Sequence, residues 1–374
     1  MKWSWRLGSI AGIALNVHAT FVLLLAWVAI GEYQSSHSAG AALNGVLFVL
    51  AVFATVVMHE LGHALTARRF GIKTRDITLL PIGGVARLER MPRDPKQELL
   101  VALAGPAMNV VIAGLLVILL RVTGGIPSWL DPASLRAGFL ERTFVARLLV
   151  VNVWLVAFNL IPAFPMDGGR VLRALLVMKN GDYARSTETA ARVGRIFALI
   201  FGILGLFVVG NPFLVFIALF VWLGAAGEAS AVQTSATLEG VPIHRLMITD
   251  VRTLSPTDPL SRPVDIILDG FQQDFPVVAN GTVQGMLTRA GLLKALAERG
   301  PTARVGDVMN RDFLQANPNE PAEDVLARLK SCGCHSIPVL RDGQLLGVLT
   351  MDNVGEYVMI QAALRGEPTK FVPA

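Results

Sequence analysis

The sequence predicts a polytopic α-helical membrane protein of about six transmembrane helices, followed by a C-terminal α/β module built from two copies of one unit. Three observations predict it. Hydrophobic residues make up 53% of the 374-residue chain and charged residues only 16%, with a mean hydropathy of +0.55; an ordinary soluble domain carries about 25% charged residues. Apolar runs of bilayer-crossing length, about 20 residues each, recur through the first 230 residues. Beyond them the composition turns polar and a gapless 62-residue repeat begins. The expected division is a membrane domain over 1–230, a linker with the first repeat over 231–300, and the second repeat with a C-terminal tail over 301–374.

The apolar runs place spans at about 10–30, 43–66, 99–120, 144–163, 193–209 and 211–229. The first is too long for a signal-peptide core, and Asn16 and His18 interrupt it, so it reads as a helix. Gly210-Asn211-Pro212 reads as a tight hairpin between the last two. Lys and Arg orient the bundle. Lys2 and Arg6 precede the first span, and 31–42 holds no Lys or Arg. Arg68, Arg69, Lys73, Arg75, Arg87, Arg90, Arg93 and Lys96 lie between the second and third, while Arg121, Arg136, Arg142 and Arg147 follow the third. This pattern predicts a multi-pass plasma-membrane protein with both termini cytoplasmic and His63 near the cytoplasmic end of its helix. The net charge of +5 and pI near 9.5 are accounted for by these loops, so no nucleic-acid partner is implied.

His59-Glu60-Leu61-Gly62-His63 follows the apolar run 43–57 directly. H-E-x-x-H on a helix sets two imidazoles one turn apart on one face, able to share a zinc ion. Ionisable groups at membrane depth are costly and mark function. A third ligand is required, and Asp167 is the candidate. It follows Pro162 and Pro165 and precedes Gly168-Gly169, a broken stretch of the kind tolerated at membrane depth only around a protein-lined cavity. The alternative is a surface aspartate at an ordinary helix exit.

These residues resemble the site-2 proteases, zinc-dependent intramembrane metalloproteases. The likeness is carried by His59-Glu60-Leu61-Gly62-His63, by Gly105-Pro106-Ala107-Met108-Asn109, and by Asn159-Leu160-Ile161-Pro162 leading to Asp167-Gly168-Gly169. The segment 80–86 and Asn16-Val17-His18, assigned to the first helix, also fit. The resemblance covers about residues 10–229. It implies that His59, His63 and Asp167 bind Zn2+ and that Glu60 is the catalytic acid/base. It is nearest to members with six membrane helices and a C-terminal cystathionine-β-synthase (CBS) module, as in proteases that process sporulation pro-sigma factors.

Two neutral imidazoles and a carboxylate leave zinc positively charged, and Glu60 beside it can accept a proton from water. Asn109 is expected to donate to the developing oxyanion or orient the substrate, unless it is a packing amide. His18 is expected to be a buried, hydrogen-bonded histidine. The stretch 76–88 mixes β-formers with Pro81, Gly83 and Gly84 and reads as a re-entrant hairpin or edge strand onto which an extended substrate could add.

In the polar half, Met247, Asp250, Pro256, Pro259, Pro276, Gly281, Gly285 and Thr288 recur 62 residues later as Met309, Asp312, Pro318, Pro321, Pro338, Gly343, Gly347 and Thr350. Two copies of one α/β unit follow. The stretch 337–350 resembles a CBS motif, and such pairs often bind adenine nucleotides such as ATP through a Thr/Ser and an Asp. Thr350, Asp352 and Asn353 are the candidates; the first copy has Ala290 and Gly291 in the equivalent places. Such a pair can also form a homodimer contact or dock substrate. Cys332 and Cys334 are read as reduced cytoplasmic thiols, and Asn280-Gly281-Thr282 as a turn.

The rival class is a CBS-gated transporter or channel. It would spread polar residues along several helices, whereas here they gather in one constellation. Substrates of the expected endopeptidase are membrane proteins: an anti-sigma factor, a pro-sigma factor or a signal-peptide remnant.

Overall fold

A computed structural model describes residues 3–89, 91–123, 143–270 and 272–364; Arg90, Arg136, Arg142 and the tail 365–374 lie outside the described residues. The chain divides into two compact units, residues 1–230 and 231–374.

The first unit holds helices α1 (Ala19–Ser36), α2 (Ala39–Arg69), α3 (Pro95–Val122), α4 (Phe144–Asn159), α5 (Asp167–Asn180), α6 (Tyr183–Ile203) and most of α7 (Pro212–Leu238), whose last residues fall in the second. Among the described residues four helices are long and apolar enough to cross a membrane: α2, α3, α6 with its continuation to Val208, and α7. Helices α1 and α4 are apolar but shorter, at 18 and 16 residues. Glu32 and Gln34 end the apolar stretch of α1 before it reaches full length.

The first span departs from expectation at its start. Ser4–Ile10 (β1) and Ile13–His18 (β2) form an antiparallel hairpin turning at Ala11-Gly12, both at positive φ. Ile13 and Val17 alternate onto the buried face, the period-2 pattern of a strand. Asn16 and His18 therefore lie on a sheet and not in a membrane helix. His18 caps α1, its Nδ1 accepting from the Thr20 backbone N–H at 3.3 Å.

Thr74–Leu80 (β3) and Gly83–Leu88 (β4) complete a sheet of order β1-β2-β3-β4, with β2 and β3 parallel and the outer pairs antiparallel. The stretch 76–88 is thus a β-hairpin with β4 at the sheet edge. Ile13, Val17 and Phe21 pack with Phe53, Val57 and Leu61 of α2 and with Ile77 and Leu79 of β3. The Phe21 and Phe53 rings meet at 4.5 Å. This core pins the sheet alongside the turns of α2 that carry the H-E-x-x-H residues.

A further helix lies between the fourth and fifth spans read from sequence. α5 is amphipathic, with Arg173, Ala174 and Val177 buried, and Asp167 stands in its first turn.

The second unit carries the repeat as structure. Each copy contributes an antiparallel hairpin, Phe275–Ala279 (β5) with Thr282–Leu287 (β6) and Ser336–Arg341 (β7) with Gln344–Thr350 (β8). Helices α8 (Ser261–Asp269), α9 (Arg289–Arg299), α10 (Ala322–Cys332) and α11 (Met351–Leu364) flank them. Asn280-Gly281 and Asp342-Gly343 are the hairpin turns, all four residues at positive φ as two-residue turns demand. The copies exchange contacts reciprocally: Ile248 bridges Val348, and Asn310 bridges Met286. Each pair is the other shifted by the 62-residue period, so the copies are related by a pseudo-twofold. Cys332 and Cys334 are joined in a disulfide, against the expectation of reduced thiols. Gly333, at φ 65°, ends α10 and folds the chain so that their Cα atoms lie 5.2 Å apart.

Candidate metal centre

His59 and His63 both point from the buried face of α2, with their rings 4.7 Å apart. Their Nε2 atoms are 3.0 Å apart, and Asp167 Oδ2 lies 3.2 Å from each. All three residues are buried. A tetrahedral zinc with ligands at about 2.0–2.1 Å requires donor atoms about 3.3 Å apart, so this triangle fits the ion. Its chemistry fits too, with two imidazoles and one carboxylate leaving a further position open. Burial opposes a charge on Asp167, yet its contacts with His59 and His63 outweigh that and hold the carboxyl below the usual carboxylate range.

The opposite ring nitrogens are fixed by acceptors. His63 Nδ1 donates to the Val101 carbonyl at 2.7 Å, and His59 Nδ1 donates to Asn109 Oδ1 at 3.0 Å. A histidine donating from Nδ1 keeps the Nε2 lone pair for a metal. Both acceptors lie on α3, which packs closely along α2. The approach depends on Gly105: a Cβ there would stand 2.2 Å from His63 Nε2 and 2.6 Å from His59 Nε2. Gly105 leaves open the space beside the two Nε2 atoms that a bound ion would need.

Asp167 reaches the histidines because residues 160–166 fold back on the first turn of α5. A Cβ on Gly168 would lie 2.2 Å from the Ile161 carbonyl oxygen, so the residue after the aspartate has no room for a side chain.

The Asn109 amide is engaged at both ends. Its Oδ1 is committed to His59, its Nδ2 donates to Asn152 Oδ1 at 3.3 Å, and it is fully buried. These contacts are those of a packing amide, the alternative read from sequence, and they fix the ring of His59. Asn152, which sequence reasoning passed over, is anchored by donating to the Leu148 carbonyl at 2.9 Å. Its signal was a lone amide mid-way along apolar α4.

Glu60 is half-buried and turns toward β4, where its Oε2 accepts from the Ala86 N–H at 3.2 Å. The nucleotide candidates sit in the second unit, in a cavity of ≈720 Å³ lined by Thr350, Asp352, Asn353, His335, Ser336 and Arg252. Thr350 and Asn353 hydrogen-bond each other through their side chains. In the first copy, Thr288 caps α9 by accepting from Gly291 N–H at 3.1 Å.

The sequence matches the family model of peptidase family M50 over residues 47–133 and 124–201, and that of the CBS domain over 243–298 and 305–359. Zinc metalloprotease MJ0392 of Methanocaldococcus jannaschii is 32% identical over 354 residues, covering 95% of this chain and 96% of that protein. Stage IV sporulation protein FB of Bacillus subtilis is 27% identical over 165 residues, 43% of this chain and 51% of that one. Among solved structures, the site-2 protease from Methanocaldococcus jannaschii shares 37% identity over 61% of this chain and 95% of its own, with a TM-score of 0.44. By its relatives and motifs alike, the chain belongs to peptidase family M50, the site-2 proteases, as a multi-pass membrane zinc metalloprotease with a C-terminal pair of CBS domains.

Proposed function

We propose that this protease is an intramembrane endopeptidase acting on transmembrane or membrane-associated proteins, with His59, His63 and Asp167 holding zinc and Glu60 moving the proton. The observation that carries the reading is the meeting of three buried donor atoms, from residues as much as 108 positions apart, inside an apolar bundle. When bound, zinc supplies a Lewis acid and lowers the pKa of a coordinated water to about 7. Glu60 Oε2 takes the proton of the attacking water and returns it to the leaving amine. Asn109 and the Val101 carbonyl hold the imidazoles in the tautomer that serves as ligand.

A transmembrane helix hides its carbonyls in its own hydrogen bonds, so a substrate must be extended before attack. Among the described residues β4 pairs with β3 alone, and Ala86 N–H points to Glu60. An extended substrate adding to this edge passes directly beside the base. The Lys/Arg pattern supports cytoplasmic termini and a site opening toward that side. The cavity beside Thr350, Asp352 and Asn353 is of a size that holds a nucleotide, which supports adenine-nucleotide control by the CBS pair. Anti-sigma factors, pro-sigma factors and signal-peptide remnants are the substrate kinds this reading covers.

The test is a substrate trap. Host membranes carrying Glu60→Gln in place of wild type are compared by quantitative proteomics. Accumulation of membrane-anchored precursors, with loss of their cleaved products, supports the reading; identical membrane proteomes overturn it.

A further inference from the structure

A second cluster of buried charge lies outside the reaction chemistry. Arg173 of α5 is fully buried and Glu98 of α3 almost so. Arg173 Nε donates to Glu98 Oε1 at 2.7 Å, and Nη1 donates to Glu228 Oε1 of α7 at 2.6 Å. The guanidinium also lies over two rings, 5.0 Å from the Phe164 centroid and 4.8 Å from that of Tyr183. Glu98 Oε2 is buried with no hydrogen-bond partner among the described residues. A guanidinium and a carboxylate out of water, with a second, partly exposed carboxylate beside them, form a costly arrangement, one that apolar residues could replace without loss of stability.

Its placement gives it a use. Glu98 lies one helical turn before Val101, whose carbonyl holds His63. Phe164 lies three residues before Asp167 in the folded-back loop, and Arg173 lies less than two turns after it. One turn before Glu228, Gly224 lets α7 close on that loop: a Cβ there would be 2.6 Å from Pro165 Cδ.

We propose that Arg173 is a positioning residue for the metal centre, locking the turn that carries Asp167 to α3 on one side and, through Glu228, to α7 on the other. The guanidinium suits this role because its planar fork bonds two carboxylates while its faces stack on rings. Asp167 alone among the three donors comes from outside α2, so its distance from the histidines depends on how α5 is held. Helix α7 is unbroken from Pro212 to Leu238, so the Glu228 arm belongs to the helix from which the chain enters the CBS pair. The inference rests on the reading of His59, His63 and Asp167 as metal ligands.

The test uses the full-length protein in detergent with cobalt(II) as probe, since its visible absorption reports ligand geometry. The double variant Glu98→Gln/Arg173→Gln removes the buried pair, and Glu228, which loses Arg173 as its partner, keeps its access to solvent. It should stay monodisperse and helical, bind cobalt about tenfold more weakly, and show an altered visible band. Glu228→Gln, at a partly exposed position, should alter the band in the same direction with a smaller loss of affinity. A folded double variant with wild-type band and affinity overturns the proposal. If the double variant does not fold, an unchanged band in Glu228→Gln overturns it. Wild-type protein that takes up no cobalt, or His63→Ala that retains it, sinks the metal-centre reading itself and is distinguished by that control.

Discussion

His59 and Asn109 are joined on the side of the imidazole that faces away from the ligand cluster: Nδ1 donates to Oδ1 at 3.0 Å while Nε2 faces His63 and Asp167. The asparagine's orientation follows from its other bond, since Nδ2 donates to Asn152. The pair therefore sets the histidine's tautomer. Asn109→Ala should lower zinc affinity by about 10–100-fold, whereas Asn109→Asp, which keeps the acceptor, should stay near wild type. Competition with a calibrated chelator measures both. Equal affinities in all three proteins would remove Asn109 from the centre's support.

Gly105→Ala separates the centre from the fold. Its Cβ would enter the space between the two Nε2 atoms, yet alanine favours a helix over glycine by about 0.5–1 kcal/mol. The expected protein has undiminished helical circular dichroism and no stoichiometric zinc. Full metal occupancy in this variant would show that the ion sits elsewhere.

Glu60→Gln should do the reverse, holding zinc while losing activity. The ligands are untouched and only the proton acceptor is gone, so cleavage should fall by about 10²–10⁴-fold. A chelator should silence the wild type and added zinc restore it, with no such recovery in the variant. Near-wild-type proteolysis by Glu60→Gln would defeat the proposed mechanism.

Helical spacing made the His59/His63 pair legible in the sequence, and the Pro and Gly residues around Asp167 exposed a break that a plain span would not carry. The hairpin before α1 was hidden because Ile13–His18 is as apolar as the helix it adjoins; only strand pairing with β3 separates them. Gly105 and Asn152 were also out of reach, since their roles depend on how closely α3 approaches α2 and α4. The repeat was the easiest to read. Gly285 and Gly347 recur because each strand crosses the other copy's bridge, where a Cβ would meet Asn310 O at 2.8 Å or Ile248 O at 2.4 Å.

That crossing gives a stability prediction. Gly347→Ala forces a Cβ against the Ile248 carbonyl, and overpacking of this kind costs about 1–3 kcal/mol. Gly355→Ala, exposed in α11 with open space around it, should be neutral or stabilising by up to about 1 kcal/mol. The thermal unfolding temperature should fall for Gly347→Ala and hold or rise for Gly355→Ala. A Gly347→Ala protein as stable as wild type would mean that the two copies do not cross as described.

The proposed control by the CBS pair makes the remaining prediction. A nucleotide can shift the protease between states only by binding one of them more tightly, and couplings of this kind amount to about 1–3 kcal/mol, or 5–150-fold. Thr350 and Asn353 face the cavity at the start of α11, where a helix N-terminus favours phosphate. Wild type titrated with ATP should change its cleavage rate within that range, with the midpoint matching nucleotide binding measured in parallel. Thr350→Ala should shift both midpoints to higher ATP together, leaving the nucleotide-free rate alone. A Thr350→Ala protein whose binding is unchanged would move the site away from this cavity. If wild type binds nucleotide and its rate stays constant, gating fails, and the pair's role becomes dimerisation or substrate docking.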